Sequence, residues 1–150
     1  MAAQTNALIV RFKVDIIDPN GVTTEVRDVT EVQGFSLGEE GTIEVPEWDR
    51  NALISDGKRK IPEITMKYRL MNELVTHNYF IEWWDTRHGC NRDIVITWAN
   101  RAWEPLFRWT YSDCEFVKFM GEDQELGQTK LGIIELKFLP YEVTLVNPNI

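Results

Sequence analysis

The side chains best equipped for chemistry in this sequence are two histidines, two cysteines and a few neighbouring carboxylates. His77, His88, Cys90 and Cys114 carry metal-ligating atoms, but they lack the Cys-x-x-Cys or His-x-x-x-His spacing that structural zinc sites use. Unliganded side chains are the expectation. A nucleophile needs an adjacent base, and neither histidine falls into a serine or cysteine hydrolase pattern. The pairs Glu122 and Asp123, and Asp113 and Glu115, are what any acidic protein carries, and without a pocket they are not an acid and a base. Gly34, Gly38 and Gly41 do not match either glycine-rich phosphate fingerprint, and Glu39 and Glu40 between them would repel phosphate. Lys58-Arg59-Lys60 is flanked by Asp56 and Glu63, which fits an interface or a solvated patch better than a nucleic-acid site. These residues predict no enzyme, no cofactor and no metal.

A chain without a reaction centre acts through its surface and its partners. The 150 residues carry a formal net charge of −8, distributed unevenly: residues 1–57 hold an excess of seven negative charges, residues 58–108 three positive and residues 109–150 four negative. That balance repels a polyphosphate backbone, because nucleic-acid binding depends on clustered Lys and Arg neutralising phosphates. The alternation of sign lets one part of a molecule attract another part of its neighbour, although solvated faces account for most individual charges. Six tryptophans are many for one small core, and aromatics in excess of a core's needs tend to end at contacts between chains. Met1 to Ala7 show no basic stretch followed by an apolar one, and no run approaches the ~20 apolar residues of a membrane span, so cytoplasmic synthesis and no membrane insertion are expected. Two cysteines are too few for a disulfide framework, and free thiols are expected, with a cross-link between subunits left open.

The elements follow from periodicity. Leu8 to Ile17 alternate, with Val10, Phe12, Val14 and Ile16 on one side and Arg11, Lys13 and Asp15 on the other. Asp18-Pro19-Asn20-Gly21 supplies the turn, and Val22 to Gln33 return as a second strand. Thr42 to Val45 are extended and stop at Pro46, after which residues 47–60 read as a long exposed loop or loose hairpin. Ile61 to Leu70 alternate again. Residues Asn72 to Thr86 form the one helix, with Asn72 as N-cap, and its apolar residues Leu74, Val75, Tyr79, Phe80, Ile81, Trp83 and Trp84 spread around most of the circumference. Such a helix needs cover on two sides, a sheet of its own subunit and a second subunit; the alternative is rings lying flat on the surface. Strands are expected at Asp93 to Trp98 and within Trp103 to Phe119. A loop is expected at Gly121 to Lys130, and a final strand at Leu131 to Val146, whose phase switches at Leu139-Pro140 through a bulge. The pieces make a single domain, 1–150, mainly β with one α-helix, in which two packed antiparallel sheets form a barrel or sandwich.

In this order the elements resemble the tail tube proteins of contractile-tailed bacteriophages, a family related in fold to the tube protein of type VI secretion. The resemblance is carried by Val32-Gln33-Gly34-Phe35, Glu44-Val45-Pro46-Glu47-Trp48, Lys60 to Tyr68, the helix end Trp83-Trp84-Asp85, Arg92 to Ile96, Phe107 to Cys114 and the closing Ile134 to Glu142. It implies hexameric rings that stack head to tail into a hollow tube in a virion tail, with neighbouring sheets joined around the ring. The partners it implies are further copies, the sheath, the tape measure, the baseplate and the tail terminator. Phage DNA would pass through a carboxylate-lined lumen without binding. The stretch 47–60 corresponds to the loop that reaches the adjacent ring, which makes Asp49, Arg50, Asp56, Lys58, Arg59 and Lys60 the expected stacking residues, with Trp83 and Trp84 at a subunit contact. A type VI-like tube subunit and a monomeric β-barrel that binds a ligand through its tryptophans are the alternatives.

Overall fold

The computed structural model describes residues 9–46, 51–127 and 129–146, and only the backbone within 39–46 and 51–60. Alternation in the chain produces β1 (Arg11–Ile17), whose Val14 and Ile16 are buried while Arg11 and Lys13 face solvent. The turn after it is built as its residues dictate. The Asp18 carboxylate accepts the amides of Asn20 and Val22, and Gly21 takes φ 82°. The expected second strand is broken in two, β2 (Thr23–Val26) and β3 (Val29–Gln33), because Asp28 adopts a left-handed φ of 68° between them. The two pieces bond to different partners, β2 to β1 and β3 to β6 (Ile64–Arg69).

The remaining strands are β4 (Glu39–Pro46), β5 (Asn51–Lys60), β7 (Arg92–Ala99), β8 (Pro105–Gly121), β9 (Ile133–Leu139) and β10 (Glu142–Val146). Eight of them form one antiparallel sheet in the order β2-β1-β7-β8-β9-β6-β3, with β10 also paired to β8. β8 belongs to both halves of this sheet. Its residues Arg108 to Ser112 pair with β10, those from Glu115 onward pair with β9, and Asp113 between them sits at φ 52° with its amide held by the Asp93 carboxylate at 2.8 Å. The partner strand changes phase at the same level, where β9 ends at Leu139 and β10 begins at Glu142, as the sequence pattern predicts. The path does not close: its two ends, β2 and β3, are consecutive in the chain and separated only by Arg27 and Asp28.

One core serves both halves. Val14, Ile16, Ile94, Ile96 and Tyr111 from the first half meet Ile64, Met66, Tyr68, Leu136 and Phe138 from the second. The helix α1 (Val75–Asp85) completes it. It starts three residues later than Asn72, after Leu74 in a left-handed conformation (φ 54°), and no side chain caps it. Phe80 and Trp83 are fully buried, Phe80 stacking on Tyr68 at 5.2 Å and Trp83 on Phe138 at 4.9 Å, while Phe116 meets both edge-on. The Trp83 indole N–H donates to the carbonyl of Cys90 at 2.9 Å. Arg92, itself buried, lies 5.2 Å from the rings of both Tyr79 and Trp83 and reaches Glu82 at 3.4 Å. One face of the helix is thus covered by rings and a guanidinium of its own subunit, while Leu74, Val75 and Ile81 stay exposed.

Candidate functional site

β4 and β5 stand apart from this body as a two-stranded antiparallel sheet paired in register from Glu39 opposite Lys60 to Pro46 opposite Asn51. Where the sequence pattern predicts a long exposed loop or loose hairpin at 47–60, residues 51–60 are instead the second strand of this ladder, and 47–50 lie outside the described residues. The register puts Glu40 opposite Arg59 and Glu39 opposite Lys60, with an irregularity between Glu40 and Thr42. Of the six charged residues expected to act here, Asp49 and Arg50 lie outside the described residues. Asp56, Lys58, Arg59 and Lys60 fall on β5, the last two directly across from acidic positions. At the root of this arm Gly34 takes φ 107°, and a Cβ there would come within 2.6 Å of the Glu63 carbonyl oxygen, so only glycine fits.

Trp83 requires a correction. Expected at a subunit contact, it is 0% exposed and lies wholly inside the subunit, because the helix turns it with Phe80 onto β8 and β9. Trp84 is half-buried, packed on Phe116 and Phe119 and covered by the Arg87 guanidinium 4.0 Å from its ring. The apolar side chains left outside are others: Val75 at 69% exposure, Tyr141 at 77%, and Leu126 fully exposed. Trp103 is exposed as well, in a turn that periodicity could not reveal because a four-residue turn has no period.

The sheet also leaves edges. Among the described strands β2 bonds only to β1 and β3 only to β6, so each has one side of its backbone without a partner strand. Some charges on the body are matched internally. Lys67 holds Glu122 at 3.3 Å and Glu31 at 3.9 Å, Lys118 holds Glu135 at 3.1 Å, and Lys13 lies 3.8 Å from Asp15. The Lys118 hydrogen bond keeps the Glu135 carboxyl below its ordinary value, while burial raises that of Asp15. Among the described residues no three His, Cys, Asp or Glu side chains converge as a metal site, and both cysteines are free, Cys114 buried and its thiol pushed well up by that burial. No helix of the described residues is long and apolar enough to cross a membrane. The arrangement offers strand edges, an arm and exposed apolar side chains.

No protein-family model and no curated protein matches the sequence. Solved structures do match in fold. A chain of the anti-feeding prophage baseplate superposes with a TM-score of 0.77 at 15% identity, covering 99% of this chain and 100% of that one. A chain of the sheath-tube complex of the PVC extracellular contractile injection system gives 0.69 at 14% identity, covering 90% and 88%. An Hcp protein gives 0.58 at 9% identity, covering 94% and 93%. The fold is therefore that of the tube proteins of contractile injection systems, as the sequence resemblance implies, with the sheet open rather than closed into a barrel.

Proposed function

We propose that this chain is a structural, non-enzymatic tube subunit of a contractile tail. Six copies form a ring, rings stack head to tail, and phage DNA passes through the lumen. The observation that carries this reading is the end-to-end correspondence with a baseplate chain of the anti-feeding prophage, in which neither molecule has an element to spare. Among the described strands, the open edges of β2 and β3 and an arm whose two strands pair with each other support it, since a neighbour's backbone and surface would complete both. Head-to-tail contact is heterologous and therefore generates a filament. The sheath, tape measure, baseplate and terminator are the partners, the arm at 47–60 reaches the adjacent ring, and the virion tail is the location. Fold likeness to a chain of the anti-feeding prophage cap is in keeping with such an assembly. The acidic net charge lets DNA slide without adhering.

Negative-stain electron microscopy of concentrated protein tests this: rings or hollow filaments are expected, and a compact monomer at high concentration would return the chain to the class of binding modules. A second reading, a secretion-type tube whose passenger is a protein, draws on the same comparisons, because the chain with a TM-score of 0.69 comes from an extracellular contractile injection system. Nuclease-protected DNA inside purified particles would decide for the phage tail, and protein alone for the secretion tube.

A further inference from the structure

The turn between β7 and β8 is built to display a tryptophan. The Asn100 side-chain oxygen accepts the amides of Ala102 and Glu104 at 2.9 and 3.0 Å, and the Asn100 carbonyl accepts the amide of Trp103 at 3.0 Å. These bonds hold Trp103 at φ 62°, a conformation unfavourable for a bulky side chain, and leave it 54% exposed with the Arg11 guanidinium 5.3 Å from its ring. A glycine or asparagine would make the turn with less strain, and strain retained at an exposed aromatic points to use of that ring. Trp103 overhangs a groove of about 480 Å³ whose apolar wall includes Phe12, Val26 and Val29. Lys13 on the wall is taken up by Asp15 and Glu25. Arg27 in the wall, Arg11 on the ring and Arg101 in the turn have no ion-pair partner among the described residues, set against the two carboxylates of Asp28 in the wall and Glu104 in the turn.

The opposite chemistry stands elsewhere on the same chain. After β8 the chain turns at Gly127 (φ 86°) and presents Leu126 with no cover among the described residues, near Asp123 and Glu125 in sequence; these two carboxylates and Lys130 have no ion-pair partner among the described residues. An apolar knob flanked in sequence by carboxylates matches a groove with an apolar wall and a small excess of unpaired guanidinium groups in and beside it. We propose that the groove beneath Trp103 receives the Leu126 loop of a second copy. Leu126 packs against Trp103 and Val29, and Glu125 and Asp123 meet Arg27 and Arg101. Knob and groove are different surfaces, so the contact is heterologous and propagates from copy to copy. It rests on the tube reading and names two surfaces by which the copies hold one another, separate from the arm.

Pelleting over a concentration series, with thermal melts alongside, tests the contact. Leu126→Asp changes a side chain that touches nothing, so the melt stays at the wild-type value while the concentration at which half the protein pellets rises by about tenfold or more. Trp103→Gly relieves the strained turn, so its melting temperature holds or rises while assembly falls by a similar factor; a merely structural tryptophan would lower both. Arg27→Glu and Glu125→Arg each weaken assembly, and the double variant recovers it to within about threefold of wild type. Wild-type assembly by Leu126→Asp and Trp103→Gly, in a protein whose wild type does assemble, would overturn this contact and leave the tube reading intact. A wild type that never pellets would overturn the tube reading and this contact with it.

Discussion

In the body, the ring of Phe116 meets those of Phe80, Trp83, Trp84, Phe119 and Phe138, whereas β4 and β5 of the arm pair with each other and with no strand of the body. Both regions are antiparallel strands, yet one is over-determined by its packing and the other is held by a single ladder. A two-stranded sheet alone is marginal in water, and on the proposed reading a neighbouring copy completes the arm. On the proposed reading, the difference separates what makes the chain fold from what makes it assemble.

That separation can be tested from its strongest side. Trp83→Ala removes the ring stacked on Phe138 and the donor to the Cys90 carbonyl, and is expected to destabilise the body by about 3–5 kcal/mol in urea titration. A loss below about 1 kcal/mol would mean the ring centre is not what holds α1 in place. Gly34→Ala, at the root of the arm, forces a Cβ against the Glu63 carbonyl and is expected to cost about 1–3 kcal/mol in the same titration.

A smaller effect follows from pH. Burial raises Cys114, Tyr68 and Tyr111 above their ordinary values, so each group favours the folded state below its unfolded pKa and loses that contribution as pH rises past it. Cys114 is first, with about 0.7 kcal/mol lost between pH 8 and 9, and the tyrosines add their share above pH about 10. Cys114→Ala should flatten the pH 8 to 9 step and leave the later one. The smallest expected effect on stability comes from replacing residues 39–60 by a short Gly-Ser linker. The melt should move by no more than about 0.5 kcal/mol equivalent, while assembly into filaments is lost. An arm deletion that unfolds the body would erase the contrast between the two regions.

What the sequence made legible divides along the same line. Strands buried on one face announce themselves by alternation, which is why Val14 and Ile16 in β1 and Ile64, Met66 and Tyr68 in β6 fell where the pattern put them. β5 carries Ser55, Asp56, Gly57, Lys58, Arg59 and Lys60, with no apolar period to betray a strand, and its pairing with β4 is what makes it one. Backbone conformation was the other blind spot. Asp28 and Leu74 take positive φ, splitting one expected strand and delaying the helix, and neither residue type signals this as a glycine would. Trp83 was misplaced because a helix apolar nearly all round looks the same whether aromatic rings or a second molecule cover it. No periodicity distinguishes a Trp that docks inside from one that docks outside.

The pairing of early strands with late ones governs how the molecule can be made. β1 waits for β7, β6 waits for β9, and the strand common to both halves ends only at Gly121, so a chain emerging from the ribosome can close no more than local hairpins until most of it has been synthesised. Until then Val14, Ile16, Met66 and Tyr68 are unshielded. Folding is therefore a late event in synthesis, and a truncated product is a hazard to its neighbours rather than a half-built subunit.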